Sequence, residues 1–87
     1  MTDQEIIQGI DKALLEEFEF NADDMRPEAA LGETLGLDSL DYVDMVIVLE
    51  RAFSFKIRDE EAIRKIRTLG DIHAFVIGKY RQQEREA

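Results

Sequence analysis

The chain contains no cysteine, a single histidine and a single proline. Without cysteine no disulfide can staple the fold, so helix packing is left as the source of stability, and a reducing cytoplasm is compatible. One histidine excludes a His-rich metal site. The acid runs Asp23-Asp24 and Asp59-Glu60-Glu61 lack the spacing and glycine of an EF-hand loop, so no metal site is expected. Positive charge is scarce in the first half, where residues 1–50 hold fourteen acids against two bases. Residues 51–87 reverse the balance with six acids against nine bases, and the whole chain carries −9. Nucleic-acid phosphates would repel such a chain. Long hydrophobic runs are also missing: the longest uncharged apolar stretch, Met45 to Leu49, cannot span a bilayer, and the N-terminus is acidic rather than a basic signal peptide. These absences lead to the expectation of one soluble, cytoplasmic, monomeric domain over residues 1–87, with 81–87 as a polar, fraying tail.

What is present reads as helices. Thr2-Asp3-Gln4-Glu5 fits a capping box, and Ile6, Ile7, Ile10, Ala13, Leu14 and Phe18 recur at helical spacing after it. Gly9 lies within that stripe and marks a point where a neighbour approaches closely. From Asn21 to Leu37 the period fades and turn formers gather, with Phe20, Met25, Ala30, Leu31 and Leu35 as expected pins into the core. A second helix follows from Ser39 to Phe53. Phe55-Lys56-Ile57-Arg58 is extended in character, and Asp59-Glu60-Glu61 opens a short third helix with Ala62, Ile63 and Ile66 inward. Thr68 and Asp71 cap a fourth helix with Ile72, Phe75, Val76 and Tyr80 on its stripe. The expected fold is all-α, a small four-helix bundle with a long loop between helices one and two.

The stretch from Leu35 to Phe53, LGLDSLDYVDMVIVLERAF, organises the rest. Gly36 permits a tight approach to the helix, and Asp38 is an N-cap whose carboxylate accepts first-turn N–H groups. Ser39 is then the first helical residue, with its side chain toward water. Unpaired N–H groups and aligned peptide dipoles favour negative charge there, so a phosphate ester fits on that hydroxyl. Along the helix, Met45, Val46, Leu49 and Phe53 with Tyr42 form the core side. Leu40, Ile47 and Val48 form another stripe, interleaved with Asp41, Asp44 and Arg51. Exposed aliphatics among carboxylates suit a docking surface; the plainer alternative is that Leu40 and Ile47 are half-buried against other helices.

Asp38-Ser39-Leu40 after Leu35-Gly36-Leu37, with Leu49-Glu50-Arg51-Ala52-Phe53, Phe55-Lys56-Ile57 and Asp59-Glu60-Glu61-Ala62 beyond, resembles the acyl carrier protein family. The resemblance extends from about Glu5 to Tyr80. It implies a bundle of acyl carrier type and a covalent 4'-phosphopantetheine on Ser39, placed there by a phosphopantetheinyl transferase. The thiol of that arm, not a side chain, would hold acyl groups as thioesters for synthetase, ketosynthase or acyltransferase-type enzymes. It also implies partner recognition by Asp38, Leu40, Asp41, Asp44, Ile47 and Arg51. An alkyl chain would find shelter among Val43, Val46, Leu49, Phe53, Ile57, Ala62 and Ile63, since each buried methylene gains about 0.8 kcal/mol.

Departures from the family pattern concern the partners. Arg51 and Ala52 stand where many carriers have acids, Arg58 where many have proline, and residues 62–68 are unusually basic. Arg51, Lys56, Arg58, Arg64, Lys65 and Arg67 weaken docking to enzymes built for a uniformly acidic carrier, which points to a specialised biosynthetic pathway. Fatty-acyl, polyketide and aminoacyl or peptidyl cargo all remain open. Two other classes stand beside the carrier: an unmodified carrier-like binding module, and a small enzyme with Ser39 as nucleophile. The latter lacks a convincing base, because His73 in the first turns of its helix reads as a half-exposed surface residue.

Overall fold

The computed structural model describes residues 2–54 and 63–86, with side chains through residue 82. Among them are three helices and no strand: α1 (Asp3–Phe18), α2 (Ser39–Phe53) and α3 (Leu69–Glu86), with a 3-10 turn at Ala22–Asp24. Ile63 and Arg64 are also helical, but the short helix expected to begin at Asp59, and the extended segment before it, lie outside the described residues.

The start signals of the three described helices are made. Thr2 Oγ1 accepts from Glu5 N at 3.2 Å while Glu5 Oε1 accepts from Thr2 N at 2.9 Å, and this holds the Glu5 carboxyl below the usual range. Asp71 does the same for α3 and more: its Oδ2 accepts from the backbone N–H of both Arg67 and Thr68, at 3.0 and 3.1 Å. These two backbone donors, Arg67 foremost, hold its carboxyl below the ordinary value. α3 continues through residues 81–86, past the end of its apolar stripe.

Ile6, Ile10 and Leu14 of α1 are wholly buried and meet Met45 and Leu49 of α2 and Leu69, Ile72 and Val76 of α3 in one core. α1 thus packs against both other helices. Gly9 marks a close approach as expected: a Cβ there would lie 3.3 Å from the Phe53 ring. α1 and α3 are antiparallel partners, tied by Asp3 to Arg81 near one end and by Asp11 to His73 eight residues along each helix.

His73 corrects the sequence reading. It is buried at 6% exposure, and its Nε2 meets Asp11 Oδ1 at 2.7 Å. Its position follows from spacing, since residue 73 falls four residues, about one turn, after the wholly buried Leu69 and so flanks the core side of α3. A buried imidazole needs a partner, and Asp11, off the apolar stripe of α1, supplies it.

The long connection is stitched down rather than loose. Leu31 N donates to Arg67 O at 2.9 Å, Leu69 N to Ala29 O at 3.0 Å, and Gly70 N to Pro27 O at 2.8 Å. An isolated bridge joins Ala30 to Thr68. Leu31 is fully buried, while Phe20, Met25 and Leu35 are half-buried against the core; Ala29 and Leu37 are further pins that the sequence reading passed over.

Candidate functional site

The site forms where this connection turns into α2. Gly36 has φ +73°, a left-handed conformation that residues with a Cβ resist. Nothing lies within 4 Å of a Cβ built there, so glycine is required for its backbone angle and not for the close approach expected from the sequence. Gly36 N donates to Gly32 O at 3.1 Å and Leu37 N to Leu31 O at 2.9 Å, which closes the turn. Leu37 is buried and anchors the residue immediately before the cap.

Asp38 is the N-cap, in extended backbone, and its Oδ1 accepts from Asp41 N at 3.0 Å. Asp41 Oδ2 in turn accepts from Asp38 N at 3.1 Å. Asp41 is therefore part of the cap itself, a role that its spacing three residues after Asp38 signals but that the sequence reading did not draw. Ser39 follows as the first residue of α2, with its side chain exposed.

The chain has two serines, and they stand at opposite ends of this helix. Ser39 opens it, where partial positive charge gathers. Ser54 closes it as a left-handed C-cap at φ 55°, where the last carbonyls gather negative charge. A phosphate ester is favoured on the first and disfavoured on the second. The exposed Ser39 hydroxyl thus fits a phosphodiester-linked group.

Ser39 borders an open groove of about 860 Å³, formed between α2 and residues 63–64. Val43, Val46 and Ile63 line it, and so do Tyr42 and Arg64, which sequence reasoning did not connect with Ser39. Leu49 is sealed in the core at 1% exposure, and Phe53 lies against Gly9. Ile57 and Ala62 lie outside the described residues. The outward side of α2 presents Leu40, Val43 and Ile47 at 76%, 58% and 45% exposure. The half-buried alternative therefore fails for Leu40 and Ile47. Val48, expected on the same stripe, instead packs against the core, and Val43 takes its place. Asp44 and Arg51 are exposed, toward opposite ends of this side.

A family model described as a phosphopantetheine attachment site matches residues 8–76. The acyl carrier protein of Wolinella succinogenes is 38% identical over 71 residues, covering 82% of this chain and 92% of the relative. That of Helicobacter hepaticus is 38% identical over 69 residues, covering 79% and 90%. The chain belongs to the acyl carrier protein family.

As an acyl carrier protein it is a phosphopantetheine-bearing carrier and not an enzyme. The buried pairing of His73 with Asp11 is accordingly a feature of the carrier's core, on the α1–α3 contact. No helix among the described residues is long and apolar enough to cross a membrane.

Proposed function

We propose that this carrier bears 4'-phosphopantetheine on Ser39 and presents acyl thioesters to enzymes of a fatty-acid, polyketide or related specialised pathway. The observation that carries the assignment is the placement of Ser39. Its exposed hydroxyl opens α2 directly after a reciprocal aspartate cap, while the other serine sits at the disfavoured end of the same helix. A phosphopantetheinyl transferase moves the arm from coenzyme A to Ser39: the hydroxyl oxygen bonds to the pyrophosphate phosphorus that carries the arm, the P–O–P bond breaks so that 3',5'-adenosine bisphosphate leaves, and the hydroxyl proton passes to a base of the transferase or to water. Once attached, the arm supplies the thiol that this cysteine-free chain lacks. The carrier's own residues do three things. Gly36 and Leu37 fix the approach to the helix, Asp38 and Asp41 hold its first turn closed, and Leu40, Val43 and Ile47 with Asp44 and Arg51 meet the partner. Val43, Val46 and Ile63, on the groove beside Ser39, are the side chains placed to shelter the proximal part of a bound acyl chain.

The test is intact mass after incubation with coenzyme A and a broad-specificity transferase. One phosphopantetheine is gained by the wild type and by Ser54→Ala, and none by Ser39→Ala. A gain retained by a folded Ser39→Ala protein would refute the assignment.

A further inference from the structure

The groove that Ser39 borders is more than a slot for an alkyl chain. Val43, Val46 and Ile63 give it aliphatic walls, but five polar side chains line it as well: Asp38, Ser39, Tyr42, Glu50 and Arg64. Three of these are committed. Asp38 is spent on the helix cap, Ser39 is the attachment point, and Glu50 has a partner of its own. Tyr42 and Arg64 are left. Among the described residues neither side chain makes a hydrogen bond or an ion pair. No buried side-chain polar atom there lacks a partner, so the unbonded Tyr42 hydroxyl is open to the groove or to water, although its ring packs against the core. Arg64 stands exposed on the bank opposite α2.

In an aliphatic hollow the few polar groups decide what is accepted. A guanidinium can only donate, and the phenol adds a second O–H donor. A saturated chain laid in this groove takes water from both donors and gives them nothing in return, which is unfavourable. A chain with an acceptor oxygen close to its thioester satisfies them. Resting on the carrier reading above, we propose that the cargo of this carrier is a β-keto acyl group, whose β-oxygen accepts hydrogen bonds from Arg64 and Tyr42 while Val43, Val46 and Ile63 cover the alkyl remainder. Arg64 and Tyr42 are thus specificity residues: they favour an oxygenated chain over the saturated chain of the same length. The amide oxygens of the arm offer the same acceptor chemistry, so the carrier with an unacylated arm is the reference for the test.

The full-length, isotope-labelled carrier is loaded from coenzyme A, hexanoyl-coenzyme A or β-ketohexanoyl-coenzyme A. Intact mass then shows one arm in each sample, and circular dichroism shows that each variant is helical. Two-dimensional NMR follows the Arg64 Nε–H and the backbone amides of residues 42–46 and 63–64. One added hydrogen bond makes the docked population about three- to tenfold larger for β-ketohexanoyl than for hexanoyl, and the shifts relative to the unacylated arm grow in proportion. Arg64→Gln and Tyr42→Phe each bring the β-keto shifts down toward the hexanoyl values. The proposal is overturned if hexanoyl moves these signals as far, if neither acyl group moves them, or if both variants keep the wild-type difference. It is overturned equally if the unacylated arm already moves the Arg64 Nε–H in full from its position in the unloaded chain, which would assign the donors to the arm. A chain that never gains the arm refutes the carrier reading itself, before any cargo is compared, and this inference with it.

Discussion

Gly36→Ala isolates the backbone contribution to the site. The φ of +73° costs a residue with a Cβ about 1–2 kcal/mol, and no neighbour lies within 4 Å to add a clash. Alanine also restricts the unfolded chain, which returns about 0.4–1 kcal/mol. The net destabilisation is about 1 kcal/mol, which lowers Tm by about 4–8 °C in a domain of this size. Gly32→Ala is the control, because a Cβ there meets only Leu37 O at an ordinary 3.7 Å and its φ is not left-handed. Thermal unfolding followed by circular dichroism should separate the two variants, with Gly32→Ala close to wild type. The Gly36 variant should also be loaded more slowly by the transferase, since the turn that presents Asp38 and Ser39 is the strained element. Equal melting temperatures for the two variants, or a Gly36→Ala protein as stable as wild type, would refute the assignment of the turn.

Three further outcomes follow from the packing and the caps. Leu49→Ala opens a cavity in the core and should cost about 2–5 kcal/mol in urea unfolding, whereas Ile47→Ala, on the exposed side, should leave stability almost unchanged and slow partner reactions. Asp11→Ala leaves the buried His73 ring without its partner and should cost about 1–3 kcal/mol, while Asp3→Ala at the exposed Arg81 pair should cost less than about 1 kcal/mol. Because the folded Asp71 carboxyl is held below its unfolded value, its stabilisation is complete above about pH 4 and is lost as pH falls through the folded value. Wild type and Asp71→Ala should therefore differ most in denaturant midpoint at neutral pH and converge toward pH 2.

The parts of this carrier that could be read from its sequence are those set by local spacing. The capping pairs Thr2–Glu5 and Thr68–Asp71 and the stripe Ile6, Ile10, Leu14 depend on residues three or four apart, and the structure makes each as expected. The location of Ser39 at the start of α2 is of the same kind. Features set by distant parts of the chain were read less well. His73 looked like a surface residue because its partner, Asp11, lies sixty-two positions away on another helix. The groove beside Ser39 takes Arg64 from a remote segment, which no helical wheel of α2 contains. On α2 itself a wheel shows which residues share a side but not how wide a strip the neighbours cover, so Val48, expected on the exposed stripe, packs against the core, and Val43, expected on neither stripe, stands exposed. Gly36 was singled out, but sequence does not distinguish a glycine needed for space from one needed for a positive φ.

The central claim is that Ser39 bears the arm, and fragment-ion mass spectrometry of the loaded carrier tests it most directly. The account predicts the phosphopantetheine mass on fragments containing Ser39 and its absence from fragments containing Ser54 alone. Modification found on Ser54 or on any other residue, with the Ser39 fragments unmodified, would contradict it.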